Sequence, residues 1–395
     1  MRRLSISLLL TTGLVLATCP SLAATEPDDR TGVGPEGLST ARGGHAATLL
    51  PDGRVLVVGG ITEDEVEVAG AELWDPLTGR FESAGSLAQA RWGPSASLLP
   101  DGRVLIVGGL TQSDPAGERP DDQGPFSPTS AEVWGPETGF GPAGSMAVAR
   151  GAHSATTLSD GHVLVVGGTE AEAPVAAELW DPQTTAFSAS GTPRVERNWG
   201  HTATLLSDGR VLLVGGATLM GLEEIATAEV WDPETGQFQD SGTLDAGRVF
   251  HTASLLPDGR VLVVGGFGTD ETREPTLFDT AVAWDPATAS FAEVGSMAVG
   301  RLGHRATVLP DGTVLITSGQ GYEGGAPDPE ADVGPSLVTL IEVFDPVTSS
   351  FSTAGRLSEG RQYHTTTGLP DGRVVLIGGG DHEGEALAGV EIWEP

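Results

Sequence analysis

Short apolar runs alternate with turn residues along the chain. In the clearest example, His251 to Gly266, two strand-forming runs flank a Pro-Asp-Gly turn and end on a glycine pair. A third run, Ala281 to Trp284, leads through an Asp-Pro turn to an isolated aromatic residue, Phe291. Strong β-formers between Gly and Pro positions predict strands and tight turns and leave no stretch long enough for a helix. The unit therefore predicts a four-stranded antiparallel meander.

This unit occurs seven times, with its Asp-Gly turn returning at intervals of roughly 50 residues, as in propeller blades. One meander cannot bury its apolar faces alone, so neighbouring units must pack face to face, and a ring leaves no large sheet face exposed. The sequence thus predicts an all-β, seven-bladed β-propeller in one domain, residues 25–395. The aspartates of the seven turns are Asp52, Asp101, Asp160, Asp208, Asp258, Asp311 and Asp371.

The seventh unit stops before a fourth strand, which predicts that the N-terminal segment completes it and closes the ring. Thr31 to Gly37 precede the first unit much as Phe81 to Ser86 precede the second. When the two segments are aligned on the arginines that follow them, Phe81 falls on Gly32. Val33 would then replace the aromatic residue only with a slip of one residue.

Residues 1–24 have the pattern of an export signal: Arg2 and Arg3, a largely apolar run, and small residues up to Ala23 and Ala24. The run is too short for a membrane span. An alternative is a bacterial lipoprotein signal in which Cys19, the single cysteine, is the lipid anchor. Both alternatives predict export, to a secreted, periplasmic or cell-surface location.

The chain is strongly acidic, with a formal net charge of −33, and all 21 of its basic residues are arginine. A field of this sign repels nucleic acids and anionic membranes, which excludes both as partners. We expect a monomer of a bacterial protein.

The repeat resembles the kelch family, and more closely its bacterial branch, to which the propeller domain of galactose oxidase is also similar. The resemblance covers the chain after residue 24 and implies a kelch-type propeller. The sixth unit departs from it with Ser318 in the glycine pair, and the second has Pro94 at the histidine position. The resemblance rests on the Trp-Asp-Pro motif and on the glycine pairs with the apolar run before each. The pairs are Gly59-Gly60, Gly108-Gly109, Gly167-Gly168, Gly215-Gly216, Gly265-Gly266 and Gly378-Gly379.

Galactose oxidase uses a copper radical site that needs a cysteine cross-linked to a tyrosine, a second tyrosine and two histidines. After removal of a signal ending near residue 24, this chain keeps no cysteine and has two tyrosines, Tyr322 and Tyr363. The inventory excludes that chemistry. We therefore expect no cofactor.

Six histidines occupy one position of the repeat. They are either metal ligands around the channel or structural groups that hydrogen-bond between neighbouring units. Repetition favours the structural role, because catalytic sites break symmetry. The residues are His45, His153, His201, His251, His304 and His364.

An arginine precedes the histidine position in most units, on the face that also carries the loop after the second strand. These arginines are candidate anchors for a carboxylate or sulfate. The favoured alternative is pairing with a glutamate of the third strand. The fifth unit has Val282 in place of this glutamate, so its arginine is expected to be the least neutralised. The candidates are Arg42, Arg91, Arg150, Arg248, Arg301 and Arg361.

Four aromatic residues beside these arginines do not repeat, namely Trp92, Trp199, Phe250 and Tyr363. They are candidate ligand-binding faces for a sugar or a peptide. The alternative is that they plug the channel.

The loops after the second strands vary most and are rich in acid. Variable loops on a rigid scaffold commonly carry function. They contain no calcium-loop motif, so a calcium site is a minor expectation. The loop carboxylates are Asp114, Glu118, Asp121, Asp122, Asp270, Glu271, Asp328, Glu330 and Asp332.

Two functions remain open. The favoured prediction is an exported, non-catalytic binding module for a glycan or a protein, because each reactive residue type is either repetitive or missing. The alternative is a carbohydrate-active hydrolase, lyase or epimerase whose acid and base are loop carboxylates such as Asp122 and Asp332.

Overall fold

The computed structural model describes residues 31–33, 36–112, 126–168, 175–218, 223–270, 272, 274–323 and 334–395. Every regular element within them is a β-strand, and seven antiparallel sheets have four strands each. The predicted meander is confirmed, and the architecture is consistent with a β-propeller. In this described part, no helix has the length and hydropathy needed to cross a bilayer. The predicted export signal, with Cys19, lies outside the described residues.

The sheets are numbered along the chain, and the strands of each are called first to fourth. Sheet 1 consists of Ala46–Leu49, Val55–Val58, Gly70–Asp75 and Arg80–Ser86. Sheet 2 consists of Ser95–Leu98, Val104–Val107, Ser130–Gly135 and Gly139–Ser145. Sheet 3 consists of Ser154–Thr157, Val163–Val166, Glu178–Asp181 and Ala186–Ala189. Sheet 4 consists of Trp199–Leu205, Val211–Ala217, Thr227–Asp232 and Gln237–Thr243.

The last three sheets follow the same order. Sheet 5 consists of Thr252–Leu255, Val261–Val264, Thr280–Asp285 and Ser290–Ser296. Sheet 6 consists of Arg305–Val308, Val314–Thr317, Leu340–Asp345 and Ser350–Arg356. Sheet 7 consists of Thr365–Gly368, Val374–Ile377, Val390–Trp393 and Thr31–Val33. Short strands in the loops are Phe267–Thr269, Pro275–Leu277, Arg301–Leu302, Gln320–Gly321 and Ser336–Leu337.

The apolar core lies between neighbouring sheets. Second strands such as Val163–Val166 are buried along their whole length, because another sheet covers each face. The tryptophan of a third strand reaches across to the preceding sheet, as Trp180 Nε1 donates a hydrogen bond of 3.0 Å to the carbonyl oxygen of Ala143. The first strands of successive sheets contact one another, and the first strand of sheet 7 contacts that of sheet 1. Each first strand therefore has the first strands of two other sheets as neighbours.

The N-terminal strand pairs with the third strand of sheet 7 in antiparallel register, with Thr31 opposite Trp393. In sheet 1 the residue opposite the equivalent tryptophan, Trp74, is Phe81. The position of the aromatic residue thus belongs to Thr31, and the expected alignment on Gly32 or Val33 is wrong. The alignment assumed connections of equal length, whereas the connection from Thr31 to the next sheet is one residue longer.

Candidate functional site

The six candidate arginines, here called the ring arginines together with Arg197, lie inside the fold. Each of the six candidate arginines is no more than 3% exposed. Arg361 shows the pattern: its guanidinium is 2.8 Å from a carboxylate oxygen of Glu391 and also donates to the carbonyl oxygens of Gly378 and Gly389. The ligand role of these arginines stays a prediction, and the alternative, pairing with glutamate, is the arrangement present. The pairs are Arg42–Glu72, Arg91–Glu132, Arg150–Glu178, Arg197–Glu229, Arg301–Glu342 and Arg361–Glu391.

Arg248 is the exception, as the sequence led us to expect. It has no glutamate opposite it, and its guanidinium instead lies 4.5 Å from the ring centroid of Phe278. One of its terminal nitrogens, Nη1, donates long hydrogen bonds to the carbonyl oxygens of Gly265 and Thr280, at 3.2 and 3.4 Å. Burial lowers the pKa of Arg248 to about 10. This guanidinium is the least neutralised of the ring.

Val282→Glu should stabilise the protein, because it restores the carboxylate that the other sheets place beside this arginine. We expect the free energy of unfolding to rise by about 1–3 kcal/mol, the usual value of a hydrogen bond to a charged group. Chemical denaturation of the variant and of Val282→Gln measures this effect. Equal stability of the two variants would contradict the prediction, since Gln matches Glu in shape but adds no charge.

The six histidines at the shared repeat position, here called the ring histidines, link neighbouring sheets. The Nε2 atom of His201 lies 3.1 Å from Ser154 Oγ, and that of His251 lies 3.0 Å from Thr202 Oγ1. In each case the hydroxyl belongs to the residue directly after the histidine position of the preceding sheet. The predicted structural role is therefore confirmed for five histidines. The pairs are His45–Thr365, His153–Ser95, His201–Ser154, His251–Thr202 and His304–Thr252.

Two sheet boundaries depart from this pattern. Between sheets 1 and 2 both partners are missing together, because Ala46 replaces the hydroxyl residue and Pro94 the histidine. Between sheets 6 and 7 only the hydroxyl is lost, because Arg305 occupies its position. His364 is fully buried, and neither of its ring nitrogens has a hydrogen-bond partner. We call this second boundary, defined by Arg305 and His364, the 6/7 seam.

A cavity of about 330 Å³ opens among the first strands. Small-molecule sites commonly have volumes of this size. We call it the central cavity. Arg305 brings a positive charge to its wall, and the remaining lining is backbone, hydroxyl, imidazole and one phenyl ring. It is lined by Gly200, His201, Thr202, Phe250, His251, Thr252, Ala253, Gly303, His304, Arg305 and Ala306.

Two aromatic residues sit in a backbone conformation that other sheets assign to glycine. Phe250 and Tyr363 have φ angles of 55° and 54°, and glycines such as Gly200 and Gly303 occupy the same position elsewhere. A bulky side chain in the left-handed region is strained, and such strain is concentrated at functional sites. Phe250 lines the central cavity, while the side chain of Tyr363 is half exposed. Both are therefore candidate substrate contacts.

The other two aromatic candidates differ in their surroundings. Trp199 is buried, and its ring centroid lies 5.2 Å from that of Phe250. Trp92 is half-buried beside Gly44, whose N–H donates to the carbonyl oxygen of Tyr363. The structure thus brings Trp199 and Phe250 together and places Trp92 near the backbone of Tyr363. Their ligand role stays a prediction.

Most of the acidic loop candidates, including Asp122 and Asp332, lie outside the described residues. Asp270 is described, and its carboxylate accepts hydrogen bonds from Thr272 and Thr276 and from the N–H of Glu274. These hydrogen bonds lower its pKa, the one from Thr272 most. The carboxylate of Asp270 is therefore engaged in hydrogen bonds within its own loop. The described part of the chain contains no group of three or more His, Cys, Asp or Glu that could hold a metal ion, calcium included.

Comparison with known proteins finds likeness in structure only. No model of a known protein family matches the sequence, and no curated protein matches it. Among solved structures, the chain is similar to a fungal alcohol oxidase of the AA5 family in complex with copper. The TM-score is 0.70 at 18% identity, over 93% of this chain and 77% of that one. This likeness shows the fold and supports the resemblance to the galactose oxidase propeller.

The comparison corrects two expectations. The prediction of a non-catalytic binding module is wrong on this comparison, because the solved protein that the chain is similar to is an enzyme. The expectation of no cofactor is also wrong on this comparison, because that enzyme holds copper. The described residues do not fit a copper ion, however. Five ring histidines already engage a hydroxyl. Burial and, after it, the charge of Arg305 lower the pKa of the sixth, His364, at the 6/7 seam, and the same positive charge would repel a metal cation there.

Arg305 is the site residue that the sequence analysis missed. The signal was present, because the position after the histidine is small or hydroxylated in every other unit. The meaning of the substitution depends on its contact with His364, which follows 59 residues later in the chain. The equivalent residues are Ala46, Ser95, Ser154, Thr202, Thr252, Arg305 and Thr365.

Proposed function

We propose that the seven four-stranded sheets are the blades of a closed, kelch-type propeller, and that residues 1–24 direct its export. The contact between the first strands of sheets 7 and 1 and the pairing of Thr31–Val33 with Val390–Trp393 support closure. The charged, apolar and small-residue regions of residues 1–24 support export. The protein then works outside the cytoplasm, with Cys19 either removed or lipidated.

We propose that this propeller is a carbohydrate-active enzyme whose substrate occupies the central cavity. The observation that carries the proposal is the cavity itself, with Phe250 in its wall and Tyr363 at the same repeat position, both in a conformation that glycine would adopt without strain. Aromatic faces bind the apolar faces of sugar rings. A solved protein with a similar fold is an alcohol oxidase, and sugars also carry alcohol groups.

The catalytic groups of this proposal are loop carboxylates. Asp122 and Asp332 belong to the sequence insertions that follow the second strands of sheets 2 and 6. One carboxylic acid and one carboxylate at a suitable separation perform acid and base chemistry in hydrolases, lyases and epimerases. The metal of the related oxidase has no role in this proposal.

Incubation of residues 25–395 with a panel of glycans and polysaccharides tests the proposal. We expect chemical change in at least one member: a product with added water indicates a hydrolase, an unsaturated product a lyase and an isomer an epimerase. Asp122→Asn and Asp332→Asn should abolish the change while retention of the substrate persists. Retention or silence across the panel, without any product, would overturn the proposal.

Tyr363→Gly should raise stability and lower turnover at the same time. Glycine removes a left-handed conformation that costs a bulky residue about 1–2 kcal/mol, and it also removes the exposed ring. We expect at least a tenfold loss of turnover. Ala289→Gly is the matched control: Ala289 has a φ of 51° in the exposed turn between the third and fourth strands of sheet 5 and carries no aromatic ring, so the change should stabilise without affecting turnover. A fully active Tyr363→Gly variant would contradict the role of this ring.

A further inference from the structure

The 6/7 seam departs from the repeat in two residues and in one missing hydrogen bond. Arg305 stands where other sheets have a small or hydroxylated residue, and His364 is left without a partner. Ser318 replaces the first residue of the glycine pair, which in other sheets packs against the histidine of the next sheet, as Gly265 does against His304. Two substitutions and one missing hydrogen bond therefore interrupt the structural repeat at this boundary.

Arg305 differs from the buried ring arginines in its electrostatic surroundings. Its Nε donates a 2.8 Å hydrogen bond to the carbonyl oxygen of His364. Within the described residues, its two terminal nitrogens make no hydrogen bond and no carboxylate pairs with it. Burial lowers its pKa, and no acid among the described residues raises it. A guanidinium nevertheless stays protonated in proteins, so the seam holds an unneutralised cation.

The groups around Arg305 do not neutralise it. His45, His304 and His364 feel its charge, and each has a pKa well below the ordinary value, chiefly because of burial. These imidazoles are uncharged at neutral pH. The wall of the central cavity near Arg305 is therefore positive, although the protein as a whole carries a net charge of −33.

We propose that Arg305 binds the acidic group of the sugar substrate, a carboxylate or a sulfate, in the central cavity. The two free terminal nitrogens form a planar fork that matches two oxygens of such a group. The anion supplies the negative charge that a glutamate supplies to the ring arginines. This inference rests on the proposed function in taking the ligand to be the enzyme's substrate, and it narrows that substrate to acidic sugars.

The overall charge decides between a single acidic sugar and a polyanion. A strongly acidic protein repels a polymer that carries many negative charges, while one buried cation attracts a single charge at short range. A volume of about 330 Å³ also suits a small ligand. The expected ligand is a monosaccharide or chain end with one acidic group.

Titration calorimetry of residues 25–395 with glucuronate, glucose 6-sulfate, glucose and polygalacturonate tests the inference. We expect one or both of the acidic monosaccharides to bind at least tenfold more tightly than glucose, and the better of the two identifies the acid. Arg305→Thr introduces the residue found at this position in sheets 4, 5 and 7. It should remove this preference, and it should stabilise the fold by giving His364 a hydroxyl partner.

Two further variants separate charge from structure. Arg305→Lys keeps the charge without the planar fork and should keep only part of the preference. Ser95→Ala removes a histidine–hydroxyl pair, His153–Ser95, away from the cavity lining and should leave binding unchanged. Two results would overturn the inference. The first is a wild-type protein that does not bind an acidic sugar more tightly than glucose, as expected if a loop carboxylate of the chain itself pairs with Arg305. The second is an Arg305→Thr variant that binds the acidic sugars as tightly as the wild type does.

These results remain distinct from those of the glycan panel. If glucuronate binding depends on Arg305 but the glycan panel yields no product, the proposed function is contradicted and the anion site is supported. If a product forms equally well with wild type and with Arg305→Thr, the proposed function is supported and the anion site is contradicted.

Discussion

Lowering the pH from 7 to 5 should destabilise this protein strongly. All six ring histidines are buried, and burial lowers their pKa values: to about 3 for His45, His201 and His251, to about 4 for His153, and well below the ordinary value for His304 and His364. The nearby ring arginines and neighbouring histidines lower them further. The folded protein therefore keeps six neutral imidazoles at pH 5.

The unfolded chain behaves differently, because its histidines have pKa values near 6.5. Between pH 6.5 and about 4 the unfolded state binds protons that the folded state does not, so the free energy of unfolding falls as the pH falls through 6.5. One histidine of this kind costs about 2 kcal/mol at pH 5 relative to pH 7. Six of them together approach the whole stability of an ordinary domain.

Urea unfolding between pH 8 and pH 4.5 measures this effect. We expect close to six protons to be taken up on unfolding at pH 5 and few at pH 7.5. Asp52, Asp208 and Asp371 have lowered pKa values, so the stability they contribute is lost only below the ordinary carboxylate range and lies outside this window. His201→Gln should reduce the uptake by one. An uptake below two protons at pH 5 would show that the histidines are not buried as neutral groups.

Glu229→Gln should lower the free energy of unfolding by about 3–5 kcal/mol, the usual cost of leaving a buried charge unpaired. Arg197 and Glu229 have fully buried side chains and lie 3.1 Å apart. The same carboxylate accepts a 2.7 Å hydrogen bond from the N–H of Arg194, in the segment that enters sheet 4. The substitution removes the negative charge of a carboxylate that neutralises the guanidinium of Arg197 and accepts a hydrogen bond from the backbone of Arg194.

An exposed pair provides the control. Asp208 and Arg210 lie in the Asp-Gly turn of the same sheet with their charges 2.7 Å apart, and their side chains are 49% and 38% exposed. Exposed ion pairs contribute about 1 kcal/mol or less. Asp208→Asn should therefore cost much less than Glu229→Gln in the same denaturation experiment. Equal costs would show that burial does not set the strength of the arginine–glutamate pairs.

The sequence predicted the candidate site only where the site repeats. The number of glutamates matched the number of arginines closely, and the one mismatch, Val282, correctly identified Arg248 as the least neutralised arginine. The aromatic candidates were found because they do not repeat. Their strain was not visible, because φ depends on the backbone path between sheets and not on the residue itself. Arg305 went unnoticed because its significance depends on His364, 59 residues later in the chain.

The sequence by itself determined the strands, their turns and the order of the sheets. These features follow from local physics: alternation of β-forming residues, turns that need Gly or Pro, and antiparallel pairing between strands joined by short connections. The tertiary structure alone decided the register of the N-terminal strand, the hydroxyl partner of each histidine and the isolation of Arg305. Those contacts join residues from different sheets, where only the packing of one sheet on the next determines which polar atoms meet.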